Sequence, residues 1–209
     1  MKKQICTVMI AGAMCMPAIA AVDVYAGIDY RTTDTHQSYS DLGNDLEESN
    51  NLSGYLAFEH FIPMVPNAKL RYSDLSSETT ADSTQIDSSV SNAILYYQLF
   101  ENHLFDFNLG LAYTRLDSDF QNISADLAQA YFAAKFFVPA TGISAFTEII
   151  SGSLNNDTAN DIELGLAYTF NPDSIVNIAV RAGYRLQDFT VDDAEQENKG
   201  LFAGMEVHF

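Results

Sequence analysis

Two sets of side chains in this 209-residue chain could carry chemistry. The four histidines, His36, His60, His103 and His208, are the groups suited to moving protons near neutral pH. Only His36 stands among acids, with Asp34 and Asp41 nearby, and a general base needs a carboxylate to hold its ring. That trio lies in a long polar stretch, Thr32 to Asn51, so His36 reads as a solvated loop histidine. His60 and His103 sit at short chain reversals and His208 at the chain end. The sequence has no phosphate-cradling glycine loop, zinc spacing or nucleophile elbow. The expectation is a protein without enzymatic activity and without a cofactor.

The second set is charged and periodic. Bases at Lys69, Arg71, Lys135, Arg181 and Arg185, and acids at Glu59, Asp106, Glu148, Glu163 and Glu206, all fall on the polar side of segments that alternate with a period of two. A strand places such positions on one face. Unpaired charge in a narrow, poorly hydrated interior is costly, so these ten residues are expected to form one network. The expected pairings are Arg181 with Glu163 or Glu206, Lys135 with Asp106 or Glu148, and Lys69 or Arg71 with Glu59. Tyr55, Tyr96, Tyr131 and Phe202 share the polar parity and are bulky enough to fill the space between charges.

Ten segments can position these groups. They run Val22–Arg31, Leu52–His60, Ala68–Leu75, Val90–Leu99, Phe105–Thr114, Asp126–Val138, Ile143–Ser151, Asp161–Phe170, Ser174–Gln187 and Lys199–Phe209. The fifth is the cleanest: Phe105, Phe107, Leu109, Leu111 and Tyr113 alternate with Asp106, Asn108, Gly110, Ala112 and Thr114. The fourth is the weakest, because Ile94 and Tyr96 share the polar parity, and the seventh is ambiguous around Phe146. Short turns such as Phe61–Asn67, where two prolines end any strand, alternate with polar, acidic connections. Bulky residues outside, small and polar ones inside, and unequal connections predict an all-β fold: an antiparallel up-and-down transmembrane β-barrel of ten strands, with eight the main rival. Arg115 continues the outward parity of Phe105 to Tyr113. It is expected at the outer aromatic belt near Tyr113 and Tyr30.

The amino terminus sets the compartment. Met1-Lys2-Lys3, the apolar run Ile5–Met16 and the small residues Ala18-Ile19-Ala20 read as a cleaved signal peptide over 1–20, which leaves 21–209 as the barrel domain. Both cysteines, Cys6 and Cys15, fall inside that leader. Twenty-eight acids against ten bases give a net charge of −18, which argues against nucleic acid as a partner. Nineteen of the acids gather in the connections without an interrupting Lys or Arg. Hard cations favour such oxygen ligands, so weakly bound Ca²⁺ or Mg²⁺ is expected there, with Asp192, Asp193, Glu195 and Glu197 as candidate ligands.

Four stretches carry a resemblance: Glu59–Asn67, Leu95-Tyr96-Tyr97, Leu109-Gly110-Leu111 and the closing Phe202–Phe209. They resemble an uncharacterised family of proteobacterial outer-membrane β-barrel proteins, across most of the mature chain. The resemblance implies an integral protein of the Gram-negative outer membrane with no known enzymatic role, and transfers no catalytic residue. Phe209 also resembles the terminal signal read by the outer-membrane assembly machinery. Three function classes follow: a structural or surface-interaction barrel with a plugged lumen whose loops meet lipopolysaccharide, a narrow diffusion channel, and, third, a membrane enzyme.

Overall fold

The computed structural model describes residues 22–38, 49–62, 64–78, 85–119, 123–154, 157–172, 174–191 and 194–209. The leader at 1–20 and the candidate ligands Asp192 and Asp193 lie outside them. Twelve strands form: β1 Val22–Ser38, β2 Ser49–His60, β3 Asn67–Asp74, β4 Ser77–Glu78, β5 Gln85–Ile86, β6 Ser88–Glu101, β7 Phe105–Ser118, β8 Ile123–Phe137, β9 Ile143–Leu154, β10 Asp157–Phe170, β11 Asn177–Val191 and β12 Ala194–His208. β4 and β5 make a two-residue ribbon between β3 and β6. The other ten close an antiparallel barrel in which each strand pairs with its sequence neighbours and β1 pairs with β12. At the seam Tyr25 lies opposite His208, and Val24 and Phe209 exchange backbone hydrogen bonds of 2.8 and 3.0 Å.

The start of β1, the carboxyl terminus and four turns, at 61–66, 102–104, 138–142 and 171–176, lie at one end of the barrel. Met64, Ala140 and Asn171 in these turns adopt positive φ, a conformation that Asn tolerates best of the three. The opposite, hairpin end carries the connections at 39–48, 75–87, 119–122, 155–156 and 192–193. Two expected acidic loops are therefore corrected. Gly152–Asn160 belongs to β9 and β10 apart from residues 155–156, and the segment around Asp188 and Glu197 is strand on both sides of residues 192–193. β1 likewise runs on to Ser38, so the backbone of His36 is in a strand, opposite Glu197.

The outer wall has two zones. From Phe58, Tyr97, Phe136, Tyr168 and Phe170 near the turn end to Tyr30, Tyr72, Tyr113 and Tyr184 toward the hairpin end, the outward face carries large, apolar, exposed side chains among smaller alanines. Leu111, Leu164, Leu166 and Leu201 lie between those aromatic girdles, the pattern of a wall that meets lipid. Beyond the tyrosines the faces exchange character without a change of period. On β7 and β8, Arg115, Asp117, Ser124 and Asp126 point outward while Leu116, Ala125 and Leu127 are buried inside. On β11, Phe189 and Val191 turn inward beside Asp188 and Thr190. Leu75, Val90, Leu116, Ala125, Leu127, Ala159, Phe189 and Val191 form one apolar cluster within this projecting collar. The collar is thus built as a water-soluble barrel is, apolar within and polar without, on top of a segment with the opposite arrangement.

Candidate functional site

The lumen holds most of the buried charge among the described residues. Its wall is divided: β6 to β9 contribute Ile94, Tyr96, Ala112, Tyr131 and Ile150, which pack together, while the charges come mainly from β9 through β11 and round to β1 and β3. Glu148 of β9 reaches across the barrel, accepting from Lys69 Nζ at 2.5 Å and from Arg71 Nη2. Tyr131 Oη donates to the same carboxylate at 3.2 Å, so the aromatic half-wall is tied to the charged one. Arg185 grips Asp161 with Nε at 2.8 Å and Nη2 at 2.5 Å, a fork that a planar guanidinium fits. Its Nη1 donates to Ser73 Oγ at 3.1 Å on the far side.

Arg181 is the hub. It donates to Glu163 and, through Nη1, to Tyr55 Oη at 2.7 Å; Asp29 Oδ1 lies 3.1 Å from its Nε and Glu206 Oε2 lies 4.0 Å from Nη1. Tyr55 Oη in turn donates to Glu206. The guanidinium also stands over the rings of Phe146, Tyr55 and Phe202, with centroids at 4.6, 5.2 and 5.3 Å. Asp29 and Arg181 flank Gly204 on opposite neighbouring strands. A Cβ at Gly204 would stand 2.1 Å from Asp29 Oδ1 and 2.3 Å from the Ile28 carbonyl, so glycine is what lets that pair meet across β12.

The ten expected network residues all occur in or at the mouth of this lumen, but several partners differ from expectation. Lys69 and Arg71 pair with Glu148, not Glu59, because the narrow interior lets side chains span it rather than stop at the adjacent strand. Glu59 accepts instead from Tyr96 Oη at 2.7 Å. Lys135 lies opposite Asp106 in register, yet its closest ion pair among the described residues is Glu206 at 4.0 Å. Asp106 accepts from Gln98 at 3.4 Å and Asn108 at 3.3 Å. Sequence reasoning left out Asp29, Arg31 and Asp161. The first two share the inward parity of β1, and Asp161 shares that of Glu163, so the alternation pointed to all three.

Toward the hairpin end the charged tier gives way to neutral polar groups. Arg31 donates to Gln187 Oε1 at 2.5 Å and to Thr33 Oγ1 at 3.0 Å, and Thr35 Oγ1 donates to Asn198 Oδ1 at 2.9 Å. The apolar collar cluster lies beyond. Toward the turn end the lumen opens into a cavity of about 180 Å³ lined by Tyr25, Glu59, Tyr96, Asp106, Lys135 and Glu206.

The remaining candidates are dispersed. Arg115 is outward, with 55% of its side chain exposed, two residues beyond Tyr113, and is paired with Asp117 at 2.9 Å. His208 stacks on Tyr25 and approaches Asp23 at 3.2 Å. His60 Nδ1 accepts from the Ile62 amide at 3.2 Å, a turn contact. Glu195 is exposed, and Glu197 pairs with Lys199 at 2.7 Å. No group of three or more His, Cys, Asp or Glu among the described residues is arranged to hold a metal ion.

The chain matches no protein-family model and no curated protein sequence. Among solved structures it is similar to Neisserial surface protein A, with 15% identity over 89% of this chain and 97% of that one and a TM-score of 0.42. It is also similar to the toluene transporter TodX of Pseudomonas putida, with 9% identity, coverage of 92% and 90%, and a TM-score of 0.41. The outer membrane protease OmpT of Escherichia coli gives 6% identity, coverage of 94% and 99%, and a TM-score of 0.45.

Proposed function

We propose that this protein is an integral barrel of the Gram-negative outer membrane with a structural or surface-interaction role and a lumen that does not conduct. The observation that carries this reading is the stack of buried side chains across the lumen: an apolar tier, a neutral polar tier and a paired charged tier in series. A ten-stranded barrel is only slightly wider than the eight-stranded kind that side chains fill, and here Arg185 and Glu148 each reach across it. The collar end, remote from the start of β1 and from Phe209, then faces the outside of the cell, where Arg115 and the exposed acids of β8 and β12 would meet lipopolysaccharide. The terminal strand with Phe209 is what the assembly machinery would engage.

Pure protein in planar bilayers should give no steady single-channel current at 100 mV in molar salt. A reproducible unitary conductance would reverse the reading in favour of a narrow diffusion channel entered from the cavity beside Lys135. Ca²⁺ or Mg²⁺ bound weakly at the collar acids is proposed as a bridge to lipid phosphates. Millimolar Ca²⁺ should then produce heat in calorimetry and raise the unfolding temperature. Absence of both effects would remove the ion from the account.

A further inference from the structure

One buried cation of the lumen has no carboxylate beside it. Among the described residues that cation is Arg31. Arg71, Arg181, Arg185 and Lys69 each have a carboxylate within 4.0 Å, whereas among the described residues Arg31 has none and donates to the neutral groups of Gln187 and Thr33. Its compensation is indirect. Gln187 Nε2 donates to Asp161 Oδ2 at 3.2 Å, but that carboxylate is already held by both arms of Arg185 and approached by Arg71 at 3.6 Å.

A guanidinium only 2% exposed is expensive to bury unless it is paired and hydrogen-bonded. Among the described residues Arg31 Nη2 has no hydrogen-bond partner, and neither has Asn198 Nδ2, on a residue that is fully buried. The two residues share Gln187, which bonds to Arg31 and lies opposite Asn198 in the β11–β12 register. Both unpartnered atoms are donors. One guanidinium without a carboxylate beside it and two unsatisfied donors, set between the apolar tier on one side and the ion pairs on the other, is the chemistry of a small monovalent anion site.

We propose that the lumen binds one halide-sized anion, chloride under physiological conditions, at Arg31 and Asn198. It supplies the counter-ion that Arg31 lacks. Adjacent polar atoms such as Asn51 Oδ1, an acceptor lying opposite Arg31 on β2, then require water rather than the ion.

Crystals of the full chain grown in bromide should show an anomalous peak within hydrogen-bonding reach of Arg31 Nη2. In detergent, replacing chloride by gluconate at constant ionic strength should lower the heat-unfolding midpoint by about 2 to 4 °C. Arg31→Gln should abolish both the peak and the chloride dependence, while Arg115→Gln at the outer surface should keep them. Should Arg31→Gln fail to fold, Asn198→Asp serves instead, because it supplies a fixed carboxylate; it should match or exceed the wild-type midpoint and lose the response to chloride. A chain carboxylate against Nη2, bromide peaks only elsewhere, or a midpoint indifferent to the anion would each overturn the site.

Discussion

Replacing Arg181 by Met should cost on the order of 3 kcal/mol of unfolding free energy, measured by denaturant titration of the barrel refolded into lipid vesicles. The side chain contacts Glu163, Asp29 and Tyr55, so the variant strands two buried carboxylates that its thioether cannot satisfy. Restoring volume without charge does not help when the partners remain ionised, because the penalty is the desolvation of what is left behind. A matched comparison separates this from ordinary truncation: Arg181→Met combined with Glu163→Gln should recover part of the loss, since one of the orphaned charges is gone. Arg115→Met, which removes an exposed pair with Asp117, should be nearly silent. If the Arg181 variant were as stable as the parent, the lumen would have to be far wetter than its burial implies.

Leu127→Ala should cost about 2 to 5 kcal/mol, the range for cavity formation in a well-packed soluble core. Leu127 is 0% exposed within the collar cluster, whereas Leu164 on the lipid-facing wall is 61% exposed in the bare protein. Leu164→Ala should lose considerably less, because lipid chains refill the space that the side chain vacates. Unfolding titrations of the two variants under one lipid composition make the comparison. A larger loss at Leu164 would mean that the exchange of faces beyond the tyrosine girdle is wrong.

That exchange also explains which parts of the fold were legible in the sequence. The ten barrel strands and their inward and outward sides follow from alternation wherever outward means apolar, as on Phe105–Tyr113 or Ile162–Phe170. Past the girdle the period of two persists, but the outward residues become Asp188 and Thr190 or Arg115 and Asp117. Segments read by their apolar outward stripe therefore ended too soon, and Asp188–Val191 and Asp157–Asn160 passed for loop. Arg115, a charge on the outward parity, was the visible sign of the change. The network membership of residues such as Arg181 and Glu163 followed from parity alone. Their partners did not, because alternation fixes a side chain's face but not how far a long one reaches across a narrow barrel, as Lys69 and Arg71 do to reach Glu148.

The hydrogen-bonded seam between β1 and β12 has a consequence for the order of folding. Asp29 and Arg181 meet only across β12, Tyr55 bridges Arg181 to Glu206, and Val24 bonds to the last residue, Phe209. These contacts join residues far apart in sequence, and such contacts form late because the intervening chain must be ordered first. Neither the seam nor the Asp29–Arg181–Glu206 cluster can assemble before the final strand has been delivered. The buried ions of the lumen therefore act as a clasp on a completed ring, and a chain cut short before Gly204 has nothing to fasten.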